Sequence, residues 1–294
     1  MNKVIILMSI LFFLVTNCAL ASGININSLN YQIVSSVTLR ADGAGGKDTY
    51  NLIREKFGPK AIESPDLYNN NHTGFKHIQE STDSIVGNYF VFFIHRDLDH
   101  DRNKYPTISD RQRNEIKTYK GSVAGVKGRE GETMIFSWKF YINPGMAVSK
   151  NFTHFFQLKP VGSGDDRHPL VTLTGFKNQS GRDIFEIRFS PSTHDFKLIH
   201  TDWADVRGRW LKARCIATFS EKGYLRFDIT TLDDQFLLST VQNNIDMWRG
   251  NESGEAFIRP KWGIYRSLRD KDKLRTAQEP VYFADFMIQK LKQK

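Results

Sequence analysis

Three short segments of this sequence carry side chains that can hold anions and move protons. The first is Asp110-Arg111-Gln112-Arg113-Asn114-Glu115-Ile116-Lys117. Read as a strand, it sets Arg111, Arg113, Glu115 and Lys117 on one face, with Asn114 and Ile116 on the other. Arginine presents a planar fork that grips a carboxylate or sulfate at two points. Glu115, two positions along, is placed to orient Arg113. A merely solvated strand face has the same pattern. The second segment runs from Asn151 to Lys159 and embeds His154 among Phe152, Phe155 and Phe156. A histidine there is either a satisfied core residue or a base. Regular alternation puts Thr153, Gln157 and Lys159 on one face and His154, Phe156 and Leu158 on the other. His154 and Gln157 share a face only if a β-bulge intervenes or His154 lies at the sheet rim. The third segment, Arg259 to Ser267, puts Lys261, Gly263 and Tyr265 on one face. Gly263 is expected to leave room above the sheet for a ligand. Cations beside a phenol favour its phenolate, which suits Tyr265 to proton transfer. A tyrosine bonded to the backbone is the plainer alternative.

A fourth feature, Asp97-Leu98-Asp99-His100-Asp101, has the alternating acids of the first half of a calcium loop. Its twelfth position is Ile108 rather than Glu, so an acidic turn is the competing reading.

These segments need strands to hold them, and the chain supplies strands throughout. Tyr89 to Ile94, Met134 to Ile142, Ile184 to Phe189, Tyr224 to Ile229 and Val281 to Ile288 all read as buried or half-buried strands, separated by Gly, Asn, Asp and Pro loops. The one helix expected is Lys47 to Phe57, entered through Asp48-Thr49 and ended by Gly58-Pro59. Gly208-Arg209-Trp210-Leu211 followed by Glu221-Lys222-Gly223-Tyr224-Leu225-Arg226-Phe227 resembles a hairpin of concanavalin-like jelly rolls, with Trp210 packed between the sheets. The expected fold is therefore all-β: a jelly-roll sandwich of two antiparallel sheets with a curved groove.

The chain has 294 residues, 40% of them hydrophobic, enough for a large core in one domain spanning 22–294. Residues 1–21 read as a signal peptide: Lys3, the apolar run Val4 to Val15, then Ala19-Leu20-Ala21 before the cleavage point. This implies a secreted or periplasmic protein. Cys18 leaves with that segment, and Cys215 alone cannot form an internal disulfide. A net charge of +9 in an exported chain points to an anionic partner. No zinc-finger, basic-zipper or RNA-binding motif is present, which argues against nucleic acid.

Taken in order, Asp110–Glu115, Phe152–Lys159, Arg259–Arg266 and Tyr282-Phe283-Ala284-Asp285-Phe286 resemble polysaccharide lyases of the heparin lyase I type and the glucuronan lyases. The resemblance spans about Tyr89 to Lys290. It implies β-elimination on an acidic polysaccharide containing 4-linked uronic acid, leaving a C4–C5 unsaturated end. It also implies proton transfers by His154 and Tyr265, with Lys261 four residues before the tyrosine. Arg113, or alternatively Arg111, is the arginine of the charged strand, and Gln157 neutralises the uronate carboxylate. Lys159, Glu115, Arg266 and His95 are further candidates for substrate binding, with His95 and His77 as substitutes should His154 face the wrong way. No cofactor is required on this reading. A structural calcium ion is carried by heparin lyase I relatives, for which Asp97, Asp99 and Asp101 are the candidate ligands. A monomer is expected, with no membrane contact after signal cleavage.

The competing readings are a non-catalytic glycan-binding sandwich, a jelly-roll glycoside hydrolase and a structural protein. Hydrolysis needs two carboxylates at a set separation. The strands instead offer Arg, Lys and Tyr.

Overall fold

A computed structural model describes residues 31–162, 164, 166–191, 196–250 and 254–294. The proposed signal peptide, 1–21, lies outside the described residues. In chain order the strands are β1 (Tyr31–Leu39), β2 (Ile62–Glu63), β3 (Ile78–Asp83), β4 (Gly87–Ile94), β5 (Arg111–Lys117), β6 (Thr133–Ile142), β7 (Thr153–Val161), β8 (Val171–Lys177), β9 (Asp183–Phe189), β10 (Phe196–Asp202), β11 (Trp210–Thr218), β12 (Gly223–Thr231), β13 (Phe236–Ile245), β14 (Phe257–Ser267) and β15 (Glu279–Gln293). One antiparallel sheet runs β13-β12-β11-β6-β15-β4-β3, with β1 also paired to β15. The other runs β10-β9-β8-β7-β14-β5-β2.

The period-two pattern places the core between these sheets. Met134, Phe136, Trp138, Phe140 and Ile142 of β6 all point inward, as expected, and meet Phe156, Phe185, Ile187 and Trp262 of the facing sheet. Trp262 lies at the centre, within 5–6 Å of the rings of Phe57, Trp138, Phe156 and Phe286. Cys215 is a buried member of this core.

Helix α1 (Thr49–Phe57) starts where Asp48 accepts hydrogen bonds from the amides of Tyr50 and Asn51, and stops at Gly58, whose φ of 100° favours glycine. A second helix, α2 (Trp203–Val206), had no sequence signal.

Two expectations are corrected here. Trp210 does not sit between the sheets. It packs with Tyr89, Tyr141 and Tyr282 on the outer face of the β6 sheet and donates its indole N–H to Asp83. The tryptophans between the sheets are Trp138, Trp203 and Trp262. Arg266 is not a substrate ligand either. Its side chain is fully buried, donating to Glu279 on β15 and to Gln112 on β5. It therefore ties one sheet to the other.

The inward face of β5 adds polar ties of the same kind. Asn114 donates to the carbonyls of His77 and Phe93, and Gln112 to those of His95 and Asp99. Breaking one half of a buried ion pair leaves an uncompensated charge. Arg266→Met is therefore expected to lower unfolding free energy by about 3–5 kcal/mol, read from urea unfolding. A loss no larger than that of a typical surface change would show that Arg266 is not a tie between the sheets.

Candidate active site

The outer face of the β7-β14-β5 sheet floors a groove of about 840 Å³. Strand register arranges its side chains in two rows. In one, Tyr265 on β14 stands between Arg113 on β5 and His154 on β7, and the row continues through Thr174 and Glu186. In the other, Lys261 stands between Lys117 and Gln157, and the row continues through Thr172 and Arg188.

His154 and Gln157 share the groove because β7 carries the bulge that regular alternation required. Pairing with β8 shifts between His154 and Phe156, and pairing with β14 shifts between Trp262 and Tyr265. Against β14 the extra residue lies on β14, where Gly263 and Ile264 stand opposite one residue, and against β8 the extra residue is Phe155. It turns into the core beside Phe156, packing on Trp203 and Phe185, and the strand resumes with His154 on the groove side. Opposite the bulge, Gly263 adopts φ 138°, and a Cβ there would stand 2.1 Å from the Asn114 carbonyl oxygen. Glycine is present because β5 and the bulged backbone demand it. It was expected to leave space for a ligand, and that expectation is corrected.

Beneath the groove lies a buried charge network. Lys261, only 2% exposed, donates to Glu63 (2.7 Å) and Glu115 (2.6 Å). Arg113 donates to Asp101 (2.8 Å) and to Glu115, and its guanidinium lies 3.7 Å above the centre of the Tyr265 ring. Lys117 and Arg102 also donate to Glu63, and Gln157 donates to Glu115. Burial alone would raise the Glu63 carboxyl, but Lys261 and Arg113 outweigh it and hold it well below the usual range. Burial, helped by Arg113, brings the Lys261 ammonium down to about 8, still protonated at neutral pH. Lys261 and Glu115 thus build the floor and do not face the groove. Arg113 reaches the groove only beneath Tyr265, its charge already shared among carboxylates.

The groove surface itself belongs to Tyr265, Arg111, His154, Gln157 and Lys159. Arg111 donates to the Tyr265 hydroxyl (3.1 Å) and is held from behind by Asp110. His154 stacks on Phe152 and shares a hydrogen bond between Nδ1 and the Thr174 hydroxyl (2.8 Å). Burial, with Arg188, Arg113 and Lys261 nearby, pushes its pKa well below 6.5, so the imidazole is neutral. Lys159 donates to the carbonyls of Asp166 and Arg167, and burial beside Lys261 and Arg259 brings its pKa to about 7. Among the described residues, eight Arg and Lys side chains line the groove against two carboxylates, Asp110 and Asp166. That balance suits a polyanion.

His95 lies outside this groove, bonded to Asp99 and Gln278. The three acids suggested for calcium do not converge. Asp97 pairs with Arg96, Asp99 with histidines, and Asp101 with Arg102 and Arg113. Glu63, Arg188, Thr174 and Phe152 were not anticipated. Arg188 had a signal, since Glu186 and Arg188 alternate with Phe185, Ile187 and Phe189. Glu63, in a two-residue strand, had none.

The architecture is the β-jelly roll of polysaccharide lyases. An endo-β-1,4-glucuronan lyase from the fungus Trichoderma reesei superposes with a TM-score of 0.51 at 10% identity, over 88% of this chain and 95% of that one. The alginate lyase Aly36B, solved with an alginate trisaccharide, gives 0.53 at 11%, over 89% and 100%. A marine alginate lyase from Aplysia kurodai gives 0.54 at 12%, over 87% and 98%. No family model matches the sequence, and no curated protein matches it.

Because Lys261 bridges two buried carboxylates, Lys261→Met is expected to cost about 3–5 kcal/mol of stability. Thermal and urea unfolding check this. Unchanged stability would instead place Lys261 in contact with solvent or substrate.

Proposed function

We propose that this chain is a polysaccharide lyase that cleaves a 4-linked uronic-acid polymer by β-elimination. The observation that carries the reading is the row His154–Tyr265–Arg113: a neutral imidazole and a phenol side by side in a cationic groove. The uronate carboxylate sits against Gln157 and Arg111, which lowers the cost of charge building at C5. Gln157 gives one amide proton to Glu115 and keeps the other for this contact. His154, with Nδ1 on Thr174, uses Nε2 to take the C5 proton. The C5–H pair forms the C4–C5 double bond, the C4–O4 bond breaks, and the Tyr265 hydroxyl gives its proton to O4. Arg111 at the hydroxyl and Arg113 on the ring face stabilise the charge left on the tyrosine oxygen. The shared fold with glucuronan and alginate lyases supports this class and names the first polymers to try. The apolar run after Lys3 is consistent with export to where such polymers occur.

The same cationic groove also fits a binding module without chemistry. The product separates the two readings, because a C4–C5 unsaturated uronate absorbs in the ultraviolet and a bound glycan does not. Incubation with glucuronan, alginate and heparin is expected to raise absorbance with one of them. Tyr265→Phe keeps the ring over Arg113 and should lower kcat at least about 100-fold. Binding to a polymer with no rise in absorbance would favour the module.

A pH dependence follows from Lys159. It is charged below about pH 7 and neutral above, so KM for the polymer should rise a few-fold as pH increases through that value, the worth of one partly exposed charge (~0.5–1 kcal/mol). Lys159→Arg stays charged and should flatten that rise. A KM that climbs equally in both would remove Lys159 from the groove's charge balance.

A further inference from the structure

Away from the groove, three imidazoles converge on one carboxylate. His77 precedes β3 and His95 follows β4; the loop before His77 brings in His72, and the loop after His95 brings in Asp99. His72 Nδ1 and His77 Nε2 lie 3.0 and 2.9 Å from Asp99 Oδ1, and His95 Nδ1 lies 3.2 Å from Asp99 Oδ2. The three rings stand nearly perpendicular to one another, with centroids 4.7–5.3 Å apart. All the ligand atoms fall within 4.8 Å of each other.

The outer nitrogens of two of the rings are held in place as well. His77 Nδ1 lies 3.1 Å from Asp66, whose carboxylate also accepts from the hydroxyls of Tyr50 and Ser64. His95 Nε2 lies 3.1 Å from the side-chain oxygen of Gln278. Both outer positions face acceptors, and the inner nitrogens of all three rings converge on one carboxylate that is itself fully buried. An imidazole whose far N–H is given to a carboxylate is the usual second shell of a metal-bound histidine.

We propose that His72, His77, His95 and Asp99 bind one first-row divalent transition-metal ion, of which zinc is the best fit. Tetrahedral zinc with ligand bonds of about 2.0–2.1 Å places its ligands about 3.3 Å apart, close to the 2.9–3.2 Å between the histidine nitrogens and the Asp99 oxygens. Three nitrogens exclude a calcium site, which takes six to eight oxygens. Four protein ligands close the coordination sphere, so the ion is structural and leaves no position for substrate. Its place in the fold gives it a task. Asn71 accepts from the amides of His72 and His100, and Gln112 holds the carbonyls of His95 and Asp99. Two residues beyond Asp99, Asp101 grips Arg113 under Tyr265. The ion would fix the loop that carries Asp101.

The test is metal binding by the full chain without an affinity tag, so it does not depend on catalysis. After chelator treatment the protein is dialysed against Zn²⁺, its metal content is measured, and Co²⁺ is used as a visible reporter. One equivalent of zinc, a higher melting temperature and the absorption of tetrahedral Co²⁺ are expected. His72 is partly exposed, so His72→Ala should fold while losing on the order of 100-fold in affinity. Asp66→Asn should weaken binding about 10–100-fold through His77. No retained zinc, Ca²⁺ taken up in its place, or zinc binding as tight as the unaltered protein's in both His72→Ala and His95→Ala would each overturn the proposal.

Discussion

Two carboxylates stand directly opposite each other on neighbouring strands, Glu63 on β2 and Glu115 on β5, and Lys261 lies between them. Like charges paired across a sheet repel, and both are almost fully buried. Without the ammonium the short β2 would have little reason to dock. With it, three strands are joined through one nitrogen. Glu63 and Glu115 then hold Lys117, Arg102, Arg113 and Gln157 in turn. The groove's positive charge rests on a negative foundation, so its cations stay ordered before any ligand arrives.

The bulge at Phe155 does for geometry what the network does for charge. One extra residue sends two consecutive phenylalanines into the core and returns His154 to the side of Gln157 and Tyr265. The bend fits only because Gly263 on the facing strand accepts a positive φ against the β5 backbone. Histidine and tyrosine become cross-strand neighbours by this local irregularity.

Where the chain obeys period two, its sequence alone was enough. The inward face of β6, the charged face of β5 and the capped helix α1 all read correctly, because burial on one face leaves an alternating trace. The jelly roll followed from those strands. The bulge could be stated as a condition but not placed, since an inserted residue looks like any other until its partners are known. Glu63 sits far in sequence from Lys261 and Asp101 a loop away from Arg113, and a two-residue strand has no period to detect. Trp210 and Arg266 mislead for a related reason. A tryptophan alternates identically on a covered outer face and in the core, and an arginine after a tyrosine gives no sign that a glutamate waits on the other sheet. The histidines at 72, 77 and 95 belong to loops, where spacing carries no face.

Strand β15 pairs with β1, β4 and β6 and so lies in the interior of its sheet, though it is the last strand in chain order. Its inward residues, Val281, Phe283, Phe286 and Ile288, fill the middle of the core. Until they emerge from the ribosome, β4 and β6 have bare edges toward each other and the core has an open seam. Most contacts in this fold also join distant parts of the chain, which makes folding slow. Assembly therefore waits on β15, and a chain interrupted before it exposes two unpaired strand edges at once.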